Sequence, residues 1–349
     1  MAGGGAERVV LAEARELVRR GHRVDLILSL GGGELRPLLP PEVRVIDIGA
    51  SRMIGALVPL VRYLRRERPD ALHATMWPST VIAIAAHRIA RSKARLMVSD
   101  QVALSQHVTK PRQRALLKRT ISLFYPLADV RVQCSDAAAD DLTQIGGLER
   151  NSIEVITNPV EPPKRIESKP DVEGLWGGPE GERILSVGSL KDQKNHANLL
   201  RAFALLKRPQ AQLMILGEGP LRPELEALAD DLKIADRLVM PGFALDQWPF
   251  LASADLFVLA SDYEGFPLVL AEAMTAGLRV VSTDCPSGPV ELLEDGKFGR
   301  LVPCRDPDAL ARAIDEALDE EPNPEAQRAQ ARAMAGPAQI ARYAELLTA

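Results

Sequence analysis

The chain runs to 349 residues, 46% hydrophobic and 26% charged, an ordinary folded composition over a length that favours two cores rather than one. Aromatic residues at 4% are too scarce for a surface that stacks nucleic-acid bases, and no apolar run reaches the ~18 residues of a membrane span. The net charge of −4 is unevenly divided, with 23 Lys/Arg against 16 Asp/Glu in residues 1–160 (+7) and 20 against 31 in residues 161–349 (−11), which suggests a first domain that meets something anionic.

The glycines Gly3, Gly4 and Gly5 open the chain without a strand before them. In a strand–helix–strand unit such a loop follows a strand, so a first strand is expected to be missing. An amphipathic helix is predicted over 7–20, with Val10, Leu11, Ala14, Leu17 and Val18 on one face and Gly21 as its stop. Strands are predicted at 24–30, 43–48, 71–74, 95–99, 130–134 and 153–156, with helices between them, for example over 54–66 and 80–90. Residues 157–182 break the alternation with five prolines and four glycines and read as a linker. Strands then resume at 183–187, 212–216, 238–240, 255–259, 279–282 and 299–302. The expectation is an α/β chain of two parallel-sheet domains, 1–160 and 183–336, joined by a linker at 161–182. Ligands of such sheets bind outside the carboxyl ends of the strands, so a cleft between the domains is the expected site.

The strongest motif is Glu264-Gly-Phe-Pro-Leu-Val-Leu-Ala-Glu272. It follows an apolar strand, and Pro267 suits the first position of a helix. Glu264 then lies on the strand-to-helix loop and Glu272 about a turn and a half into the helix. Free backbone amides between them would favour an anion such as a diphosphate. A capping Glu264 and a solvated Glu272 are the bland alternative. Gly188-Ser189-Leu-Lys191-Asp-Gln-Lys194-Asn195 follows the strand 183–187, and Lys194 could meet a diphosphate as a point charge or be an exposed loop lysine. Leu216-Gly-Glu-Gly-Pro220 lacks the third glycine of a dinucleotide fingerprint. Asp306-Pro307-Asp308 reads as an N-cap with proline at the first helical position, not as a metal site. His73 ends a strand and is a candidate cleft residue, whereas His22 reads as structural. From His107 to Phe124, basic residues alternate with Leu116, Leu117, Ile121 and Leu123. That pattern suits either an ordinary helix with a solvated basic face or an amphipathic surface resting on anionic lipid, where five basic residues at about 1 kcal/mol each give reversible docking; the charge bias of the whole half favours the second. Cys134, Cys285 and Cys304 make no Cys-x-x-Cys pair or zinc set, which points to a reducing compartment. The opening residues lack the pattern of a secretion signal.

Together these residues resemble the retaining glycosyltransferases of family 4, over nearly the whole chain. The segments that carry the likeness are Gly-Gly-Ala-Glu-Arg-Val at the start, Val-Ile-Thr-Asn158-Pro-Val, Val-Gly188-Ser189-Leu with Lys194, Leu-Gly-Glu-Gly-Pro-Leu, the Glu264/Glu272 pair, and Cys285-Pro-Ser-Gly-Pro-Val-Glu. The last resembles the branch acting on cell-surface polysaccharide and lipopolysaccharide. The resemblance implies the GT-B fold, with two Rossmann-like domains facing a cleft and a terminal helix over 337–349 that packs back on the first domain. It also implies a UDP-sugar donor carrying a hexose or N-acetylhexosamine, a lipid-linked or cell-surface glycan acceptor, no cofactor and no metal. Glu272 would accept the ribose hydroxyls and Glu264 would sit beside the donor sugar as the catalytic carboxylate. Backbone amides near Phe266 and Leu268, with Lys194, Gly188 and Ser189, would hold the diphosphate. Gly242 and Phe243 would line the base pocket, and Gly4 and Gly5 would close on the phosphates. Gln101 and Asn158 join His73 as candidate cleft residues.

Two departures stand out. Ser189 replaces a frequent Arg, which grips phosphate bidentately, and Gln101 occupies the position of a frequent histidine. The chemistry tolerates both if the leaving diphosphate oxygen takes the acceptor's proton on the same face. Such an enzyme would be cytoplasmic and peripheral at the inner face of the membrane. An epimerase or hydrolase of the same architecture, and a disabled nucleotide-sugar or membrane-binding relative, remain the alternatives.

Overall fold

The computed structural model describes residues 4–29, 33–50, 52–177 and 181–349. Gly3 lies outside them. The chain forms two units, one of residues Met1–Pro159 with Pro337–Ala349, the other of Val160–Gly336.

The first unit holds β1 (Asp25–Leu28), β2 (Arg44–Asp47), β3 (Ala71–Thr75), β4 (Arg95–Asp100), β5 (Val130–Gln133) and β6 (Glu154–Val155). All its pairings are parallel, in two pieces, β1-β2 and β3-β4-β5-β6. β4 lies inside the larger piece, and its Leu96, Met97 and Val98 are fully buried, as expected of a parallel strand covered on both faces. Helix Pro337–Thr348 belongs to this unit and buries Ile340, Tyr343, Ala344 and Leu347. It is fastened to β4 where Arg95 donates to the Leu346 carbonyl at 2.6 Å. Near the other end of β4, Asp100 is buried and receives the Tyr125 hydroxyl at 2.7 Å and the Trp77 amide at 2.8 Å. Burial outweighs these bonds and pushes its carboxyl up to about 6.

The second unit holds β7 (Arg183–Val187), β8 (Gln212–Leu216), β9 (Leu238–Gly242), β10 (Leu256–Leu259), β11 (Arg279–Thr283) and β12 (Arg300–Val302). They form one parallel sheet in the order β12-β11-β10-β7-β8-β9, a doubly wound arrangement whose winding reverses between β7 and β10. One apolar core packs Leu213 and Ile215 of β8 and Val258 of β10 against Leu199, Phe203 and Ile314 of the covering helices. β9 runs two residues beyond the predicted end, through Pro241. It is an edge strand, where the missing amide of a proline costs no ladder bond.

The stretch predicted as a linker is partly built into this unit. It contains the short helix Pro170–Glu173, with Val172 buried, and Trp176, 4% exposed, donates its indole N–H to Ser253 Oγ at 3.0 Å. Two apolar side chains among prolines and glycines are enough to anchor it. Asp306 caps its helix by accepting the Ala309 amide at 2.8 Å, as its sequence predicts. Among the described residues no helix is long and apolar enough to cross a membrane.

Candidate functional site

The loops leaving β7 and β10 meet where the winding reverses. After β7 the chain passes Gly188 and Ser189 and makes a 3-10 turn, Asp192–Lys194. Asn195 follows in the left-handed region (φ 44) and caps helix His196–Ala204. After β10, Ser261 to Pro267 lead into helix Leu268–Ala276. Pro267 stands one position ahead of the predicted one, at the N-cap, with Leu268 as the first helical residue.

The two loops are tied by four bonds. Lys194 Nζ lies 2.6 Å from Glu264 Oε1. The Asp262 amide donates to the Gln193 carbonyl at 2.8 Å, Gln193 Nε2 to the Tyr263 carbonyl at 2.9 Å, and Asn195 Nδ2 to Asp262 Oδ1 at 2.9 Å. Arg305 grips Asp262 from outside at 2.7 and 3.0 Å. Glu264 Oε1 also accepts the Ser261 hydroxyl at 2.6 Å, and Ser287 donates to the Glu264 carbonyl at 2.5 Å. Glu264 is therefore held by side chain and backbone at once. Its side chain is 8% exposed and that of Lys194 15%, so water screens the pair weakly. Lys194 is not the free loop cation the sequence left open; it already balances a carboxylate.

Glu272 is the fifth residue of its helix and 6% exposed, as is Glu264, so neither is a solvated surface carboxylate. Phe266 and Leu268 are buried between them. Leu268 and Val269 head the helix, and the first amides that close back onto it belong to Leu270 and Ala271, which both bond to the Pro267 carbonyl. The amides at the helix start thus face away from the helix ladder, in the region a helix dipole makes attractive to an anion.

Glycines bring a third loop close. A Cβ at Gly217, after β8, would stand 2.0 Å from the Gly188 carbonyl oxygen. At Gly188 a Cβ would press on the Lys194 stem at 3.2 Å. Gly217 N–H donates to the carbonyl of Gly242, itself at φ 97, with the half-buried Phe243 next along. Gly188, Ser189, Lys194, Gly242, Phe243, Glu264, Phe266, Leu268 and Glu272 thus belong to one end of one sheet.

Sequence reasoning missed two supports. His196 is buried directly behind the Lys194 loop. Burial first, and the Lys194 charge second, lower its imidazole to about 4, so it is neutral at pH 7. Its place beside Lys194-Asn195 is visible in the sequence, but its burial is not. Ser261 is the other, three residues before Glu264. Cys285 is 1% exposed, and burial, then the Glu264 carboxylate, push its thiol up, so it is unreactive.

The remaining candidates lie in the first unit. His73 does not end its strand. It is the middle residue of β3, with Nδ1 2.7 Å from Glu13 Oε2 and Nε2 2.8 Å from Ser99 Oγ. Both ring nitrogens are taken by internal partners. Gln101 is buried and directs Nε2 to Tyr343 Oη at 3.4 Å. Asn158 is buried at the end of the unit's first stretch. Gly4 is exposed at the N-cap of helix Gly5–Arg19.

Comparison with known proteins supplies a second line of observation. Residues 3–163 match the family model for Glycosyltransferase Family 4, and residues 178–334 that for Glycosyl transferases group 1. Over 235 residues the chain is 32% identical to the N-acetylgalactosamine-N,N'-diacetylbacillosaminyl-diphospho-undecaprenol 4-alpha-N-acetylgalactosaminyltransferase of Campylobacter jejuni. That match covers 67% of this chain and 63% of the other, so it spans just under two thirds of the relative. The lipopolysaccharide core biosynthesis glycosyltransferase LpsE of Rhizobium meliloti is 28% identical over 320 residues, 90% of this chain and 86% of that one. Among solved structures, HepE of Anabaena in complex with UDP superposes with a TM-score of 0.80 at 22% identity, over 99% of this chain and 96% of that chain.

Proposed function

Because the chain belongs to the glycosyltransferases, family 4 over its first part and group 1 over its second, with the GT-B fold, we propose that it transfers a hexose or N-acetylhexosamine from a UDP-sugar, with retention, to a lipid-linked or cell-surface glycan. The observation that carries the reading is the Lys194–Glu264 pair at the point where the second sheet reverses its winding. It sets a cation and a fixed carboxylate on the loop that leads into helix Leu268–Ala276. The C. jejuni and R. meliloti relatives, by their names, act on a diphospho-undecaprenol glycan and on lipopolysaccharide core, which supports the acceptor class.

In the proposed reaction the acceptor hydroxyl attacks the anomeric carbon on the face from which UDP departs. The carbon–oxygen bond to the β-phosphate breaks with its electron pair, and that phosphate oxygen takes the acceptor's proton. The protein's task is to hold the charge that grows on the diphosphate. Lys194 and the amides of Leu268 and Val269 do this without a metal. Glu272 accepts the ribose hydroxyls, and Glu264, held by Ser261 and Lys194, fixes the donor sugar.

The stretch from His107 to Phe124 adds a docking role. Helix Pro111–Phe124 buries Leu117 and Ile121, while Leu116 is 53% and Leu123 59% exposed. These leucines are seven apart and share a face with Arg112 and Arg119, the pattern of an interfacial helix on anionic lipid. Docking there would place the enzyme at the cytoplasmic membrane surface, beside lipid-linked acceptors.

Calorimetric titration of UDP in EDTA tests the donor site, and product analysis with a UDP-sugar and a lipid-linked acceptor tests the transfer. Binding and an α-linked product from an α-linked donor support the reading. Failure of the folded protein to bind UDP rules out the donor. Rapid loss of the sugar nucleotide without acceptor transfers the assignment to an epimerase or hydrolase.

A further inference from the structure

The turn Cys285-Pro-Ser-Gly-Pro289 enters no step of the proposed reaction. It leaves β11, which pairs in parallel with β10, so it emerges beside the loop that carries Glu264. Two buried hydroxyls bind that loop from the β11 side. Thr283 Oγ1 donates to the Ser261 carbonyl at 2.5 Å, and Ser287 Oγ to the Glu264 carbonyl at 2.5 Å. The loop from Ser261 to Glu264 is thus fixed at both ends by a neighbouring strand.

Ser287 makes its bond from a backbone conformation that serine rarely takes. Its φ is 63, in the left-handed region where a Cβ crowds the following carbonyl oxygen. Gly288 follows at φ 71, ψ −70, a rare and strained γ-turn geometry, and a Cβ there would stand 2.7 Å from the Gly265 carbonyl oxygen. The turn is therefore pressed against Glu264 and Gly265. A glycine at 287 would take the same φ without steric cost, so what serine adds at that position is the hydroxyl. Strain of this kind persists only where the surrounding structure enforces it.

We propose that Ser287 is a positioning residue, which through the Glu264 carbonyl sets where the Glu264 carboxylate meets the donor sugar. The proposal rests on the reading of Glu264 as the residue that fixes that sugar. Ser261 and Lys194 hold Oε1 at the tip of the side chain, but the tip of a long side chain is placed only as well as the backbone behind it. Ser287 holds that backbone. A misplacement of about 1 Å costs roughly a hundredfold in rate. The contacts assigned to the nucleotide run instead through Glu272 and the amides of Leu268 and Val269, within the next helix, so Ser287 acts on the sugar and not on UDP.

Ser287→Gly and Ser287→Ala test this together. Both delete the hydroxyl, but glycine relieves the left-handed backbone and alanine keeps it strained. Each is compared with the parent for melting temperature, for calorimetric affinity towards UDP, UDP-glucose, UDP-galactose and the two corresponding N-acetylhexosamine nucleotides, and for the rate of UDP release from the sugar nucleotide that the parent binds. Both variants are expected to bind UDP within about twofold of the parent and to release it from the sugar nucleotide about tenfold or more slowly, although the alanine version melts below the glycine version. Turnover that instead follows the melting temperature, with the glycine version as fast as the parent, assigns Ser287 to stability and overturns the proposal. A loss of UDP affinity as large as the loss of rate places the defect at the nucleotide and also overturns it. If the alanine version does not fold, the glycine version decides alone. A folded parent that binds none of these nucleotides overturns the donor reading and this proposal with it, whereas a parent that binds one and is matched by its variants overturns only the role of Ser287.

Discussion

At Lys194, loss of charge has a structural and a chemical consequence, and different substitutions separate them. Lys194→Met leaves Glu264 buried without its cation, and breaking a buried pair costs about 3 kcal/mol. Adding Glu264→Gln relieves that cost, so the double variant should regain most of the stability while transferring sugar no better. Denaturant titration and turnover on the two variants check this. If the double variant is active, Lys194 serves the fold and not the diphosphate. Glu272→Ala should weaken UDP about tenfold or more, the worth of a charge-assisted bond, and unchanged affinity would remove Glu272 from the ribose. Ser189→Arg should tighten UDP by a similar factor, because a guanidinium grips phosphate bidentately.

The loops that hold these residues depend on the glycines between them. Gly217 has φ 151, and a side chain there would meet the Gly188 carbonyl. Gly217→Ala should displace the Gly188–Lys194 loop, weaken UDP binding and lower the melting temperature of the second unit, as read by calorimetry. That these loops leave the ends of apolar strands was legible in the sequence, whereas an exposed Lys194 and a solvated Glu272 stayed open until the burial of both was seen. What was not legible has a common physical cause. The ring of His73 is set by Glu13, 60 residues away, and Trp176 is anchored by Ser253, 77 residues away. Periodicity reports which face of an element is apolar but not which distant side chain meets it. His196 shows the same limit, since its flanking residues, Lys194, Asn195 and Asn198, suggest a solvated turn around a buried imidazole.

For the molecule as a whole, acidity should act on the two units in opposite senses. Asp100 titrates near 6 in the folded first unit against an ordinary 3.8. Between those values the folded unit holds a proton that the unfolded chain releases, so its stability is higher at low pH and falls as pH rises to about 6. His196 titrates near 4 in the folded second unit against 6.5. There the unfolded chain binds the proton, so stability is present above 6.5 and is lost as pH falls towards 4. If the units melt separately, acidification from 6.5 to 4 should shift their transitions in opposite directions relative to the Asp100→Asn and His196→Asn variants. If they melt together, the two slopes offset and each substitution exposes the other. Variants with the pH slope of the parent would refute both assignments. The two-unit architecture was readable from the strand alternation, whereas the order of the strands within each sheet required the pairing itself.

Helix Pro337–Thr348 supplies Tyr343 against Gln101 and the Leu346 carbonyl to Arg95, yet it follows the whole second unit in the sequence. The first unit therefore cannot be completed while the ribosome is still making the second. Until that helix has been made, Arg95 and Gln101 lack these partners. A chain that stops at residue 336 should be open to proteolysis in its first unit even where the second resists.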